Sequence, residues 1–205
     1  DFLGRFRRRY AFLIGLALSL LAVVLSVIWE GNLVTLLLSS ACLLGAVLIL
    51  YRHLGELSGI SQDNPKIKTL RLVTVFDVLI LLLCIGAAML AEAGIVGRNE
   101  TADKYFAAAL ILAIILFLGN LSPKLPFTRH TGLRLPWTVT DEETWIVAHR
   151  ILGYISLPLA LVYLAGIPAV SNFKALSITI ILLWIGIPSG LSLLFYLRKF
   201  QGVSR

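Results

Sequence analysis

The chain has 205 residues, of which 59% are hydrophobic and 14% are charged, and its mean hydropathy is +0.92. About a quarter of the residues of an average soluble domain are charged, so this composition excludes an ordinary soluble domain and predicts an integral membrane protein. The formal net charge of +7 requires no nucleic-acid partner, because basic residues beside membrane spans set orientation and meet anionic lipid.

Six apolar segments approach the roughly 20 residues that a helix needs to cross a hydrocarbon core of ~30 Å. Backbone groups inside the hydrocarbon must bond to one another, and runs of this length achieve this as helices. The sequence therefore predicts an all-α integral membrane protein, with six transmembrane helices in one bundle that forms a single domain over residues 1–205. The segments are about 10–29, 33–51, 70–91, 104–120, 144–168 and 174–197.

The basic residues predict the orientation of this bundle. Most of the 18 Lys and Arg residues fall at the termini and in the two long loops, after the second and the fourth span. By the positive-inside rule, these loops and both termini are cytoplasmic. The opposite side then receives a tight turn at 30–32, a loop at 92–103 and a short link at 169–173.

Asp77 is the clear acidic residue inside a span. It follows Arg71 by six residues, which corresponds to about 9 Å of helical rise. Ionisable residues within membrane spans are candidates for function by default. Asp77, Arg150 and His149 have similar predicted depths, so we expect Asp77 to pair with Arg150 or His149 in the bundle.

No catalytic or cofactor site is indicated, and the chain is expected not to be an enzyme. Cys42 and Cys84 lie in apolar runs and are interpreted as packing residues. His53, His130 and His149 lack the spacing of metal ligands. No catalytic-triad, Walker-type or dinucleotide-binding motif is present.

The predicted cytoplasmic loop at 121–140 is polar and aromatic, unlike the rest of the chain. Its three prolines exclude a continuous helix, and its apolar content favours a packed loop. Thr140 and Glu143 have the spacing of a capping box, so we expect Thr140 to be the N-cap of a helix that starts near Asp141. Trp137 and Trp145 are interpreted as interfacial anchors, and His149 as a packed or hydrogen-bonded histidine.

Three motifs around this loop resemble the SdpI family of bacterial membrane proteins. They read GN-x-x-PK, then G-[IL]-R-x-PWT, then E-x-W-x-x-x-HR, and the resemblance extends over about residues 105–190. The matching positions are Gly119, Asn120, Pro123, Lys124, Gly132, Arg134, Pro136, Trp137, Thr138, Glu143, Trp145, His149, Arg150 and Gly153.

The resemblance implies a multi-pass protein of the bacterial cytoplasmic membrane that gives immunity to, or senses, a membrane-active toxic peptide. It also implies signalling through a cytoplasmic regulator. Two alternatives stay open: an accessory subunit of a larger membrane complex, and a small transporter or lipid-handling protein. The last of these would use Asp77, Asn120, His149 and Arg150 as a polar pocket near the cytoplasmic face.

Overall fold

The computed structural model describes residues 10, 13–22, 24, 33–54, 66–95, 99–128 and 132–202. Within these residues the regular elements are all helical, as the sequence predicts. The helices are α1 (Leu13–Ala22), α2 (Leu33–Arg52), α3 (Ile67–Glu92), α4 (Glu100–Leu121), α5 (Glu142–Ala169) and α6 (Phe173–Gly202), with a short 3-10 turn at Ser122–Lys124.

Four of the helices, α3 to α6, are long and apolar enough to cross a membrane. Their positions confirm the last four predicted spans as candidates. Helix α2 covers the second predicted span. Its apolar segment, Leu37–Ile49, is shorter than those of α3 to α6. The first predicted span lies partly outside the described residues. The orientation across the membrane stays a prediction.

Contacts divide the chain into two compact units, residues 1–98 and 99–205, and the single six-helix domain stays a prediction. In the first unit, α2 packs along α3. Leu18 of α1 lies against Gly45 of α2, at 3.5 Å from the position that a Cβ would take. Leu70 and Thr74 are buried on α3, whereas Asp77 on the same helix is exposed.

The second unit is built around α5, which packs against both α4 and α6. Its apolar core is formed by Ala108, Ile115, Leu152, Ala160, Tyr163, Ile167, Ile180 and Trp184. Polar bonds cross this core: Trp184 Nε1–H donates to Ser156 Oγ at 2.7 Å, and the hydroxyls of Tyr163 and Ser177 are 2.8 Å apart. Each bond satisfies polar groups that would be costly to bury alone, and together they orient α6 on α5.

Close approach of α4 to α5 depends on a glycine. A Cβ at Gly119 would overlap the side chain of Ser156, so a larger residue would push the two helices apart. At the other end of the unit, Lys104 Nζ donates to the carbonyl of Ile167 at 2.9 Å. Because the last carbonyls of a helix lack intrahelical partners, this bond caps the end of α5 with a side chain from α4.

Candidate functional site

The candidate site is the segment that connects α4 to α5, residues 122–141, called here the motif loop. The structure describes it apart from residues 129–131. It begins as a 3-10 turn whose Pro123 lies against Gly153 of α5. A Cβ at Gly153 would come within 2.6 Å of Pro123 Cγ and 3.1 Å of the carbonyl oxygen of Gly119. Gly119 and Gly153 therefore allow α4, the turn and α5 to come into direct contact.

His149 holds the backbone of the motif loop on α5. Its Nε2 accepts a hydrogen bond from the Leu133 amide at 3.0 Å, and its Nδ1 lies 2.8 Å from the Trp145 carbonyl oxygen. Since Nε2 is the acceptor, the proton of a neutral imidazole must lie on Nδ1 and be donated to that carbonyl. The side chain is 1% exposed. His149 is thus a hydrogen-bonded packing residue, as the sequence interpretation favoured.

Trp145 lies inside this cluster, and its assignment as an interfacial anchor is wrong. It is 1% exposed, its ring stacks on His149 at 3.9 Å, and Phe127 meets it edge-on at 5.6 Å. Gly132 has φ +98° and covers the two rings so closely that a Cβ there would overlap both. The ring is buried because Gly132 lets the loop backbone close over the helical face that Trp145 shares with His149.

Thr138 closes the middle of the loop. Its hydroxyl accepts a bond from the Leu135 amide at 2.9 Å and donates to the Leu133 carbonyl at 2.8 Å, with the Leu135 carbonyl at 3.0 Å. Thr138 is fully buried. The neighbouring Trp137 is half-buried and donates its Nε1–H to Ser192 Oγ at 3.0 Å. The loop is therefore bonded to α6 as well as to α5.

Asp141, not Thr140, is the N-cap of α5, which corrects the capping box predicted from the sequence. Asp141 Oδ2 accepts bonds from the Thr144 amide at 2.9 Å and the Thr144 hydroxyl at 2.6 Å. Thr140 instead donates its hydroxyl to the Pro136 carbonyl at 3.1 Å, inside the preceding turn. The helix does start beside Asp141, as predicted, because a carboxylate there is favoured by the helix dipole.

Lys199, near the end of α6, joins the start of α5 through two carboxylates. Its Nζ lies 2.7 Å from Asp141 Oδ1 and 2.9 Å from Glu143 Oε2. Desolvation by itself raises the pKa of the Asp141 carboxyl, but hydrogen bonds from Lys199 and Thr144 and the charge of Lys199 outweigh it. The net effect lowers the pKa below its ordinary value, so Asp141 stays ionised at neutral pH.

The other motif side chains lie at the surface. Glu143 is 69% exposed, and its carboxylate nevertheless reaches Lys199. Pro123 is exposed although its ring lies against Gly153. The remaining exposed motif residues are Asn120, Lys124, Arg134, Pro136 and Arg150. The motif therefore divides into a buried group that builds the loop and an outer group that the loop presents.

The predicted pairing of Asp77 with His149 or Arg150 stays a prediction, because the two partners belong to different units. Both ring nitrogens of His149 are already engaged within the second unit. Among the residues that the structure describes, no three His, Cys, Asp or Glu side chains converge in a way that could hold a metal ion.

Two bonding partners of the motif loop were not predicted from the sequence. Ser192 lies 55 residues from Trp137 along the chain, and Lys199 lies 58 residues from Asp141. No local pattern marks Ser192. Lys199 is one of the basic residues near the C-terminus that predict the orientation. It follows the last predicted span, on the side of the membrane where α5 is predicted to start, and this position was the signal that could have indicated the contact.

Comparison with known proteins identifies the same region. The family model of the SdpI/YfhL protein family matches residues 124–194. This segment begins in the 3-10 turn, covers the rest of the motif loop and all of α5, and ends in α6; Asn120 and Pro123 lie just before it. No curated protein matches the chain, and no solved structure matches it.

Proposed function

Because the chain belongs to the SdpI/YfhL protein family through residues 124–194, we propose that it recognises a membrane-active toxic peptide without catalysing a reaction. Its role is immunity to the peptide or sensing of it. The coarser statement, that the chain is an integral membrane protein, follows from its four membrane-length apolar helices and its family.

The observation that carries the proposal is the double attachment of the motif loop. His149 holds the loop on α5, and Trp137 holds it on α6. The Lys199 ion pairs add a further link between the two helices near the loop. A shift of α6 along α5 would therefore strain the loop directly. This coupling suits a protein in which binding of a ligand at the helices changes the conformation of the motif loop.

A binding region for the peptide is favoured at the end of the second unit away from the motif loop. A shallow depression there carries both signs of charge, and the sequence predicts that this end is external. Its lining residues are Glu100, Asp103, Lys104, Ser171, Asn172, Phe173 and Lys174. Lys104 also bonds the last turn of α5, so contact at this depression would act on the helix that carries the motif loop.

The bonded polar atoms of Thr138 and His149 support binding over catalysis. The hydroxyl of Thr138 is bonded within the loop, and the ring nitrogens of His149 are taken up by the Leu133 amide of the loop and by the Trp145 carbonyl of α5. Polar groups that are bonded in this way stabilise the conformation of the loop and are not available to a substrate. The proposed location is the bacterial cytoplasmic membrane, with the motif loop inside the cell and accessible to a cytoplasmic regulator.

The test is protection of a peptide-sensitive bacterium. Cells that express the full chain are challenged with membrane-permeabilising peptides, and the minimum inhibitory concentration is measured for wild type, Thr138→Val and Val162→Ala. Thr138→Val keeps the shape of the buried side chain but removes the hydroxyl that closes the loop. Val162→Ala changes an exposed position on α5 and controls for expression.

We expect wild type and Val162→Ala to raise the inhibitory concentration severalfold and Thr138→Val to lose this gain at equal membrane abundance. Equal sensitivity of cells with and without abundant wild-type protein would reject the proposal. Purification with stoichiometric membrane subunits would instead favour the accessory-subunit alternative.

A further inference from the structure

Helix α5 has an inward and an outward face at its start, and Arg150 lies on the outward one. His149 is 1% exposed, whereas Arg150 beside it is exposed. One turn on either side of Arg150 lie Ile146, 44% exposed, and Tyr154, 73% exposed. Residues four apart share a helical face, so Arg150 is flanked by apolar and aromatic side chains that face outward.

The acids near Arg150 in sequence are committed elsewhere or distant. Within the described part of the chain, Asp141 and Glu143 pair with Lys199, and no ion pair joins either of them to Arg150. Glu142 precedes Arg150 by eight residues, about 12 Å along a helix. A cation on an apolar helical face is stabilised by an anionic partner, and the exposed guanidinium of Arg150 is open to an anion from outside this region.

A second exposed cation is held next to the same turn of α5. Pro123 lies against Gly153, which is three residues after Arg150 and therefore a neighbour of it on the helix surface. Lys124 follows Pro123 and is exposed. The contact of the 3-10 turn with α5 thus places two positive charges at the edge of an outward apolar face.

We propose that Arg150 and Lys124 bind the phosphate of an anionic phospholipid. Arg offers a planar fork of donors that fits two phosphate oxygens, and Lys adds a compact charge. Tyr154 and, a turn further, Leu157, which is 59% exposed, lie beside the acyl chain. The lipid is favoured over a free anion because the same face supplies both the charges and the apolar contact. This site does not depend on peptide recognition.

Lipid binding is measured by native mass spectrometry on the purified full-length protein titrated with phosphatidylglycerol or phosphatidylcholine. The variants are Arg150→Gln, Arg150→Lys and Lys124→Gln. Lys174→Gln, which removes an exposed cation at the other end of the second unit, is the matched control. Helical content and elution volume are recorded for each variant so that unfolded protein is not counted as a loss of binding.

We expect wild type and Lys174→Gln to retain phosphatidylglycerol in preference to phosphatidylcholine. Each of Arg150→Gln and Lys124→Gln should weaken this retention about fivefold, the effect of one basic residue beside an anionic membrane surface. Arg150→Lys should retain most of it.

Three results would overturn the site. The first is equal retention by wild type and the folded Arg150→Gln variant. The second is displacement of the lipid by inorganic phosphate alone, which would indicate a free-anion site. The third is rescue of Arg150→Asp by Asp77→Arg, which would show that Arg150 pairs with the intramembrane acid and not with lipid.

Discussion

At the scale of single residues, adjacent motif positions have opposite roles. His149 and Arg150 are neighbours in the chain, yet His149 faces inward and accepts a loop amide, while Arg150 faces outward. The difference follows from the 100° rotation between consecutive residues of a helix. The His-Arg pair at the end of the motif therefore supplies one side chain that holds the loop backbone and one that is exposed at the outer face of α5.

Replacing His149 tests its role as the acceptor for the loop. His149→Ala leaves the Leu133 amide without its partner, and we expect a loss of about 2–3 kcal/mol in stability, measured by thermal unfolding in detergent. His149→Gln offers a carbonyl oxygen at a similar reach and should recover part of the loss. An unchanged melting temperature for His149→Ala would contradict this role.

Gly132 tests the packing of the loop on the two rings. Gly132→Ala places a Cβ on His149 and Trp145 at φ +98°, and we expect about 2–4 kcal/mol of destabilisation from backbone strain and overpacking together. Gly94→Ala is the control, since Gly94 also has positive φ, +68°, but open space around it. If the two variants unfolded at the same temperature, contact with the rings would not be the reason for the glycine.

At the scale of helices and loops, the start of α5 is defined by one carboxylate with two tasks. Asp141 caps the helix through Thr144 and holds Lys199 of α6. Both tasks use the ionised form, and this is why the pKa of the carboxyl is lowered. Thr140 could have served as a cap by its position, but a neutral hydroxyl cannot pair with Lys199.

Two substitutions separate the tasks of Asp141. Asp141→Ala removes the cap and the ion pair. Loss of the cap alone should lower the free energy of unfolding by about 1 kcal/mol. Asp141→Asn keeps a capping oxygen and loses the charge, so it should be the milder change. Because the folded-state pKa is lowered, the contribution of the charge is present above about pH 4 and is lost as the pH falls through the folded value. The difference in melting temperature between wild type and Asp141→Asn should therefore shrink in acid. A difference that is the same at pH 7 and pH 3 would exclude the charge as its cause.

At the scale of the whole molecule, charge asymmetry is the basis for the predicted orientation. Thr140 lies in the motif loop and Lys174 at the start of α6, at opposite ends of the second unit, and both are exposed. With both native cysteines replaced, Lys174→Cys should react with an impermeant maleimide in intact cells. Thr140→Cys should react only after the cells are lysed. The reverse pattern would invert the topology and place the motif loop outside.

Much of the helical layout was predictable from the sequence. The last four spans match α3 to α6 within a few residues, because a long apolar run has a single way to satisfy its backbone in lipid. The predicted start of α5 was also right to within one residue. The identity of the cap was not, because Thr and Asp are both good N-caps and the deciding partner, Lys199, lies 58 residues away.

The sequence by itself determined that this is an apolar, all-helical membrane protein with a specific polar loop, since composition and span length follow from the solvent that the chain must enter. Tertiary structure decided which motif residues are buried. Trp145 is enclosed because Gly132 lies over it and Phe127 meets its edge, and Trp137 is bonded to α6 because Ser192 lies within reach of its ring nitrogen. Such contacts depend on how α5 and α6 pack side by side, and that packing joins residues that no local pattern in the sequence connects.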